Sequence, residues 1–261
     1  MTPIRISLAQ FDVHIGDVDV NLASALEAIK EAAKRGSQLV LLPELFATGY
    51  DLVNWSDYAT PLDDGIFQEM SCMARDHHIW VGGTSLETAS QRAYNCFALF
   101  DDKGALKSWY RKVHLFRLMN EDRWLAPGDQ GVVVKTPWAN IGLAICYDLR
   151  FPELFRRYAL DEAQLILICA AWPTARIAHW KTLLRARAIE NQLFVAAVNR
   201  TGESLMEEYG GQSAVIDPWG DTVGEAADKP SLVTCELDLA QVNTVRQKIP
   251  VLFDRRPDVY G

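Results

Sequence analysis

The sequence has no Cys-x-x-Cys pair, no excess of basic residues and no apolar run approaching the length of a membrane span. Each absence removes a class of function. Five cysteines, at positions 72, 96, 146, 169 and 235, are scattered and odd in number, which supports neither a zinc knuckle nor a disulfide framework. The 26 Lys+Arg against 34 Asp+Glu give a formal net charge of -8, whereas nucleic acid or an anionic membrane surface would want a basic patch. The opening MTPIRISLAQ lacks a basic region followed by an apolar core, so no signal peptide is expected. Free thiols then fit a reducing cytoplasm. No linker-like or low-complexity stretch interrupts the chain.

What remains is a chain of 261 residues, 49% hydrophobic, long enough for a large core and compatible with one domain over residues 1–261. IRISLAQFDV alternates like a half-buried strand, and NLASALEAIKEAAKRG reads as an amphipathic helix with Asn21 as N-cap and Gly36 at its stop. QLVLL, at 38–42, is continuous and branched, as in a strand covered on both faces. A helix over about 65–78 and the strand IWVGGTSL follow. NCFALF and ALKSWYRKV flank a turn at Asp102-Lys103-Gly104. GVVVKTPWANIGLAIC holds two strands around Pro137. Then come a helix from Pro152, the strand QLILICA, the helix HWKTLLRARAIENQ and the strand LFVAAVN. The hairpin SAVIDPWGDTVGEA, the strand SLVTCELD and the helix LAQVNTVRQKI close the pattern. SQLVLLPE at 37–44 echoes AQLILICA at 163–170, each after a helix. The alternation fits two packed sheets with helices outside. The tail at about 249–261, IPVLFDRRPDVYG, is apolar and basic without periodicity, and is expected to pack on a neighbouring subunit.

Cys146, in GLAICYDLRFPELFRR, ends an apolar run and precedes a helix start. Outward-pointing N–H groups there stabilise a thiolate or an oxyanion. The other four cysteines lie in apolar or periodic runs and read as packing. A nucleophile needs a base. Of the five histidines, His77 and His78 sit at a helix end and read as surface. His114 and His179 remain as candidates for a Cys–His pair, though neither carries an orienting Asn or Asp signature. A buried carboxylate is the other route, and Glu44, directly after a buried-strand run and a proline, is the best candidate. Lys112, in YRKVHLF, also follows a strand. In isolation Glu44 reads equally as a solvated loop glutamate, and Lys112 reads first as a surface lysine.

Together, LLPELFATGY, YRKVHLF and CYDLRFPELFR, in this order, resemble the nitrilase superfamily of carbon–nitrogen hydrolases. The similarity extends over nearly the whole chain, through HWKTLLRARAIENQLFVAAVNRTG and GGQSAVIDPWGD. It implies a four-layer α-β-β-α sandwich of the α/β class, a triad of Glu44, Lys112 and Cys146, and homodimers or larger homo-oligomers formed through helices. It also implies a second glutamate, eight residues before the aspartate of an L-x-P-G-D segment, which is Glu121 in EDRWLAPGD. The FRLMNED stretch before it is shorter than the usual family segment, and Glu121 reads otherwise as a solvated acid in a loop.

The implied chemistry needs no metal or organic cofactor. Glu44 takes the thiol proton and Cys146 attacks an amide carbonyl. Lys112 and the Tyr147 N–H hold the oxyanion, and ammonia leaves a thioester that water hydrolyses. Asp148 and Arg150 are expected to form a local salt bridge, with substrate contact by Arg150 as the alternative. CYDLRFPE resembles the omega-amidase branch, and AAWPTARIAHWKTLLRARAIENQ resembles bacterial members acting on 2-oxoglutaramate. A carboxylate-bearing substrate would use an arginine, for which Arg176 in WPTAR is the candidate, with Tyr50 and Trp172 as pocket walls. The alternatives are a true nitrilase or N-carbamoyl amino acid hydrolase with the same triad, a non-enzymatic binding module on this fold, and the Cys–His hydrolase.

Overall fold

A computed structural model describes residues 3–204 and 207–260. In chain order, its first half runs β1 (Ile4–Gln10), α1 (Val18–Lys34), β2 (Leu39–Leu41), α2 (Trp55–Tyr58), α3 (Gly65–His77), β3 (Trp80–Ala89), β4 (Arg92–Phe100) and β5 (Leu106–Arg111). The second half runs α4 (Glu121–Trp124), β6 (Val132–Lys135), β7 (Asn140–Ile145), α5 (Pro152–Leu160), β8 (Leu165–Ala170), α6 (Ile177–Asn191) and β9 (Phe194–Asn199). It closes with β10 (Thr201–Glu203), β11 (Glu208–Gly210), β12 (Ala214–Ile216), β13 (Thr222–Glu225), β14 (Ser231–Leu237), α7 (Ala240–Lys248) and α8 (Pro257–Tyr260).

Two six-stranded sheets form, with orders β14-β1-β2-β3-β4-β5 and β13-β12-β9-β8-β7-β6. Each has a parallel trio at its heart, β1-β2-β3 in one and β7-β8-β9 in the other, with antiparallel strands added on both sides. The echo between 37–44 and 163–170 is thereby explained, because β2 and β8 are the middle strands of the two trios. Parallel strands need a crossover, which α1, α3, α5 and α6 supply.

Strand alternation sorts the core into layers. Ile6, Leu39, Leu41, Phe97 and Leu99 of the first sheet join Ile141, Leu143 and Leu167 of the second in one buried cluster. The intervening Val40, Val81, Ala98 and Phe100 face the opposite way, packed with Ile29, Phe67 and Met70 of α1 and α3. The architecture is the expected mixed α/β sandwich of two sheets flanked by helices.

Several local expectations give way. Asn21 lies inside α1, fully buried, and donates to the carbonyls of His14 (2.6 Å) and Ala47 (2.9 Å). The cap is Asp17, whose carboxylate accepts from the Val20 N–H at 3.3 Å. The helix thus starts a turn earlier, and Asn21 ties the loop after β2 to it. Glu121 opens the one-turn helix α4 rather than lying in a loop. The short antiparallel pair β10–β11, absent from the sequence reading, lies beside both sheets through bridges Asp12↔Thr201 and Pro173↔Tyr209. In the tail, Ile249, Phe253, Val259 and Tyr260 are exposed; its last residue, Gly261, lies outside the described residues.

Candidate active site

Chain breaks at the carboxyl ends of the sheets build the site, where ligands of open α/β sheets bind. After β2 the chain turns at Pro43-Glu44, and Leu45 takes a left-handed conformation at φ +45°, its N–H held by Thr84 Oγ1 at 2.7 Å. After β7, Cys146 itself is left-handed at φ +43° and opens a 3-10 turn over Cys146–Arg150, ahead of the helix beginning at Pro152. Such a conformation is costly for a residue with a Cβ and persists only where neighbours fix it. Asp148 does the fixing. Its buried carboxylate accepts the Ile145 N–H (2.9 Å), the Tyr110 hydroxyl (2.7 Å) and the His114 N–H (3.1 Å), with His114 Nδ1 2.8 Å away.

That arrangement replaces the expected Asp148–Arg150 salt bridge. Asp148 turns inward to satisfy backbone and side-chain donors. Arg150 turns outward, with its guanidinium 4.6 Å from the Trp172 ring and 3.4 Å from His179 Nδ1. Both histidines of the Cys–His alternative are therefore engaged elsewhere, His114 with Asp148 and stacked on Phe151 at 3.6 Å.

Glu44, Lys112 and Glu121 come together as a fully buried row. Lys112 Nζ donates to Glu44 Oε1 at 2.7 Å and to Glu121 Oε1 at 2.6 Å, with the Tyr50 hydroxyl at 3.4 Å. Tyr50 donates to Glu121 Oε1 at 2.8 Å, and the Phe116 N–H donates to Glu121 Oε2 at 2.7 Å. Gly128, of the A-P-G-D stretch, donates its N–H to the Lys112 carbonyl at 2.8 Å, and any Cβ there would collide with the Arg111 carbonyl. That close approach returns the chain against the end of β5 just after Glu121.

Burial alone would push the Lys112 ammonium down, but the carboxylates of Glu121 and Glu44 outweigh it and hold the lysine charged, above its usual range. Burial raises the Glu121 carboxyl, with Lys112 opposing. The Cys146 thiol lies against the Glu44 carboxylate. Burial first, and then that carboxylate, push the thiol well above its ordinary value, while Lys112 and the Ala171 N–H pull the other way. The sulfur is thus held as a thiol with its proton acceptor in place.

Arg150, Ala171, Trp172, Pro173 and Arg176 line a tight cleft at Cys146, with a cavity volume of only about 10 Å³, to which Phe116 and Tyr147 also contribute. A larger cavity of about 590 Å³, lined by Phe116 and Tyr147 together with His114 and Asp122, is not lined by Cys146. Tyr50 stands apart from the cleft, on the charged row. Arg176 is already paired with Glu207 at 2.6 Å, whereas no carboxylate pairs with Arg150 among the described residues.

The family model for carbon–nitrogen hydrolases matches residues 5–247 of this chain. The chain belongs to the carbon–nitrogen hydrolase family. Among its relatives is a 2-oxoglutaramate amidase of Bacillus subtilis, 39% identical over 98% of this chain and 98% of its own. An omega-amidase, NIT2, of Mus musculus is 34% identical over 100% of this chain and 98% of its own. A CN-hydrolase superfamily protein of Xanthomonas campestris, with an arsenic adduct in its active site, superposes with a TM-score of 0.92 at 33% identity, covering 98% of each chain.

As a carbon–nitrogen hydrolase, the chain also holds polar residues that sequence reasoning passed over. Asn95, fully buried in β4, donates Nδ2 to Glu44 Oε1 at 2.8 Å. Asn199, at the end of β9, accepts the Trp172 N–H at 2.6 Å and donates to the Trp172 carbonyl at 3.1 Å, which fixes one cleft wall. Arg187 of α6 grips the Leu149 carbonyl through Nε (3.1 Å) and Nη2 (2.8 Å), steadying the turn that begins at Cys146. A polar side chain in the middle of a buried apolar strand, as at Asn95, was the one available signal.

Proposed function

We propose that this carbon–nitrogen hydrolase is an omega-amidase, releasing ammonia from the terminal amide of a small carboxylate-bearing substrate such as 2-oxoglutaramate. The observation that carries the reading is the Cys146 thiol set against the Glu44 carboxylate, itself bound to Lys112 at 2.7 Å. Glu44 removes the thiol proton as the sulfur attacks the amide carbon. Charge develops on the carbonyl oxygen, and Lys112 with the Tyr147 N–H receives it. Collapse of the adduct breaks the C–N bond, Glu44 protonates the departing ammonia and a thioester remains. Water then gives a proton to Glu44 and its oxygen to the acyl carbon, and the sulfur leaves as a thiol. Glu121 keeps Lys112 charged and aimed.

The cleft supports a carboxylate-bearing substrate. Arg150 offers a guanidinium with no carboxylate partner among the described residues, and Arg176 stands beside it with its charge offset by Glu207. The relatives named as 2-oxoglutaramate amidase and omega-amidase point the same way. The exposed apolar side chains at 249–260 support a homodimer in which the tail packs on the partner, and among the described residues no helix is long and apolar enough to cross a membrane.

Ammonia release from a panel of short dicarboxylic acid monoamides, neutral amides, nitriles and N-carbamoyl amino acids tests the assignment. Turnover of the monoamides, with at least tenfold lower kcat/KM on neutral amides, is the expected result. Preferential hydrolysis of nitriles or carbamoyl compounds would move the protein to another branch, and silence across the panel would leave a binding module.

A further inference from the structure

We infer that Asn95 is a positioning residue that commits one oxygen of Glu44, Oε2, to every proton transfer in the reaction. The inference deepens the amidase reading and rests on it. A carboxylate presents about two acceptor directions per oxygen. On Oε1 both are taken, by Asn95 Nδ2 at 2.8 Å and Lys112 Nζ at 2.7 Å. Among the described residues Oε2 accepts only the Ala171 N–H, at 2.9 Å, and keeps one direction open. Ala171 lines the same cleft as Cys146, so the oxygen it holds is the one on the cleft side. Two observations, the filled acceptors of Oε1 and the place of Ala171 in the cleft, thus select the same oxygen.

Asn95 has no evident structural task to explain its place in β4. Its Oδ1 is buried without a partner among the described residues, and its side chain makes its hydrogen bond to Glu44 alone. Burying an amide for a single bond is unfavourable unless that bond matters elsewhere. The backbone of the same residue accepts the Lys112 N–H at 2.9 Å, so one residue of β4 sets both the lysine and the carboxylate. In the acylation step the S–H bond breaks, its electron pair forms the S–C bond, and the proton lands on Oε2. In collapse, that proton passes from Oε2 to the nitrogen as the C–N bond breaks and ammonia leaves. In deacylation, Oε2 takes a proton from water and returns it to the sulfur as the C–S bond breaks. With Oε1 held by two donors, the carboxylate does not rotate to offer the wrong oxygen.

Removing Asn95 withdraws a donor that favours the charged carboxylate, so the base should protonate more readily. Asn95→Ala is expected to lower kcat on a dicarboxylic acid monoamide by about tenfold to a hundredfold, with KM within about twofold on the same ground that the substrate is untouched. The acid limb of its kcat/KM profile should move to higher pH by about one unit, the scale of one hydrogen bond to a charged group. Asn95→Asp, of equal shape, should be worse near neutrality, since a second carboxylate would face the first. The rate of Cys146 alkylation by iodoacetamide against pH, read by mass spectrometry, needs no substrate and should show the same shift. If alkylation shifts in Asn95→Ala but no amide is turned over by the wild type, the substrate reading fails and the role of Asn95 stands. An unshifted acid limb and unshifted alkylation profile in a folded variant would overturn the assignment. Should Asn95→Ala not fold, Asn95→Ser, which keeps a shorter donor, is expected to give the same shift in part, and an unshifted profile there would be equally decisive.

Discussion

The rim of the first sheet and the rim of the second meet at Cys146 in opposite states of completion. On the first, Glu44, Lys112 and Glu121 are buried and bonded to one another or to Asn95, Tyr50 and backbone donors at 2.6–2.9 Å, apart from the longer Lys112–Tyr50 contact. On the second, burial and the Glu44 carboxylate push the thiol well above its ordinary value, and no carboxylate among the described residues pairs with Arg150. One rim is finished in the resting molecule, and the other waits for substrate. Fixed donors that need no rearrangement at the moment of reaction are the most effective form of electrostatic catalysis. A thiol left unionised avoids a buried thiolate next to a carboxylate, at the cost of needing that carboxylate as a base.

The comparison breaks most sharply at Cys146. Cys146→Ala should abolish amide hydrolysis and change stability by about 1 kcal/mol or less, since little volume is lost; acyl-adduct mass spectrometry of the wild type with a slow substrate should find the label on this cysteine, and a label on another would refute the assignment. Lys112→Ala should lose two to three orders of magnitude in kcat, roughly the effect of an oxyanion donor. Unlike Cys146→Ala, it should also destabilise by about 3–5 kcal/mol, because two buried carboxylates lose their cation. Denaturant unfolding of the two variants side by side therefore separates the finished rim from the waiting one.

Glu121→Gln should lower kcat by at least about tenfold through loss of the charge that aims Lys112, while Asp122→Asn, its exposed neighbour on α4, should leave kcat within about twofold, as surface changes do. Equal mild effects at both positions would reduce the row to Glu44 and Lys112. The smallest effect belongs to the waiting rim. Arg150→Ala should raise KM about tenfold for a monoamide carrying a carboxylate and leave a neutral amide unchanged, the value of one charge-assisted contact. Arg176→Ala should do less, since Glu207 already offsets its charge; the reverse order would reassign the carboxylate to Arg176.

Much of this was legible because Glu44 and Cys146 follow closely on apolar strand runs, where a carboxylate in particular is not core filling, and because Lys112 follows the end of a strand, LKSWYR. The sheets were legible for the same reason, their strands being continuous or alternating. Glu121 stood out only by likeness to a family, because nothing in LMNEDRWLAPGD separates its side chain from that of Asp122; the difference is made by Gly128, whose bond to the Lys112 carbonyl folds the chain back on itself through a contact that no local pattern encodes. Asn95 was hidden within AYNCFALF, where alternation assigns it to a face but not to a partner. Asp148 misled, since a neighbouring Arg150 invited a salt bridge, whereas the turn at left-handed Cys146 needed an acceptor for the Ile145 N–H just before it. The β10–β11 pair was missed because strands of three polar or small residues carry no period.

The hydrogen bond from the Ala171 N–H to Glu44 joins residues 127 apart in the chain. A contact of that span closes late, after each sheet has paid its own loop entropy. Nascent or partly refolded chains, with the first sheet formed and the second not, would hold the base and the cation but no nucleophile, and would be inert toward any amide in the cell. Recovery of catalysis after dilution from denaturant should accordingly lag behind recovery of secondary structure, making turnover a clock for the docking of one sheet on the other.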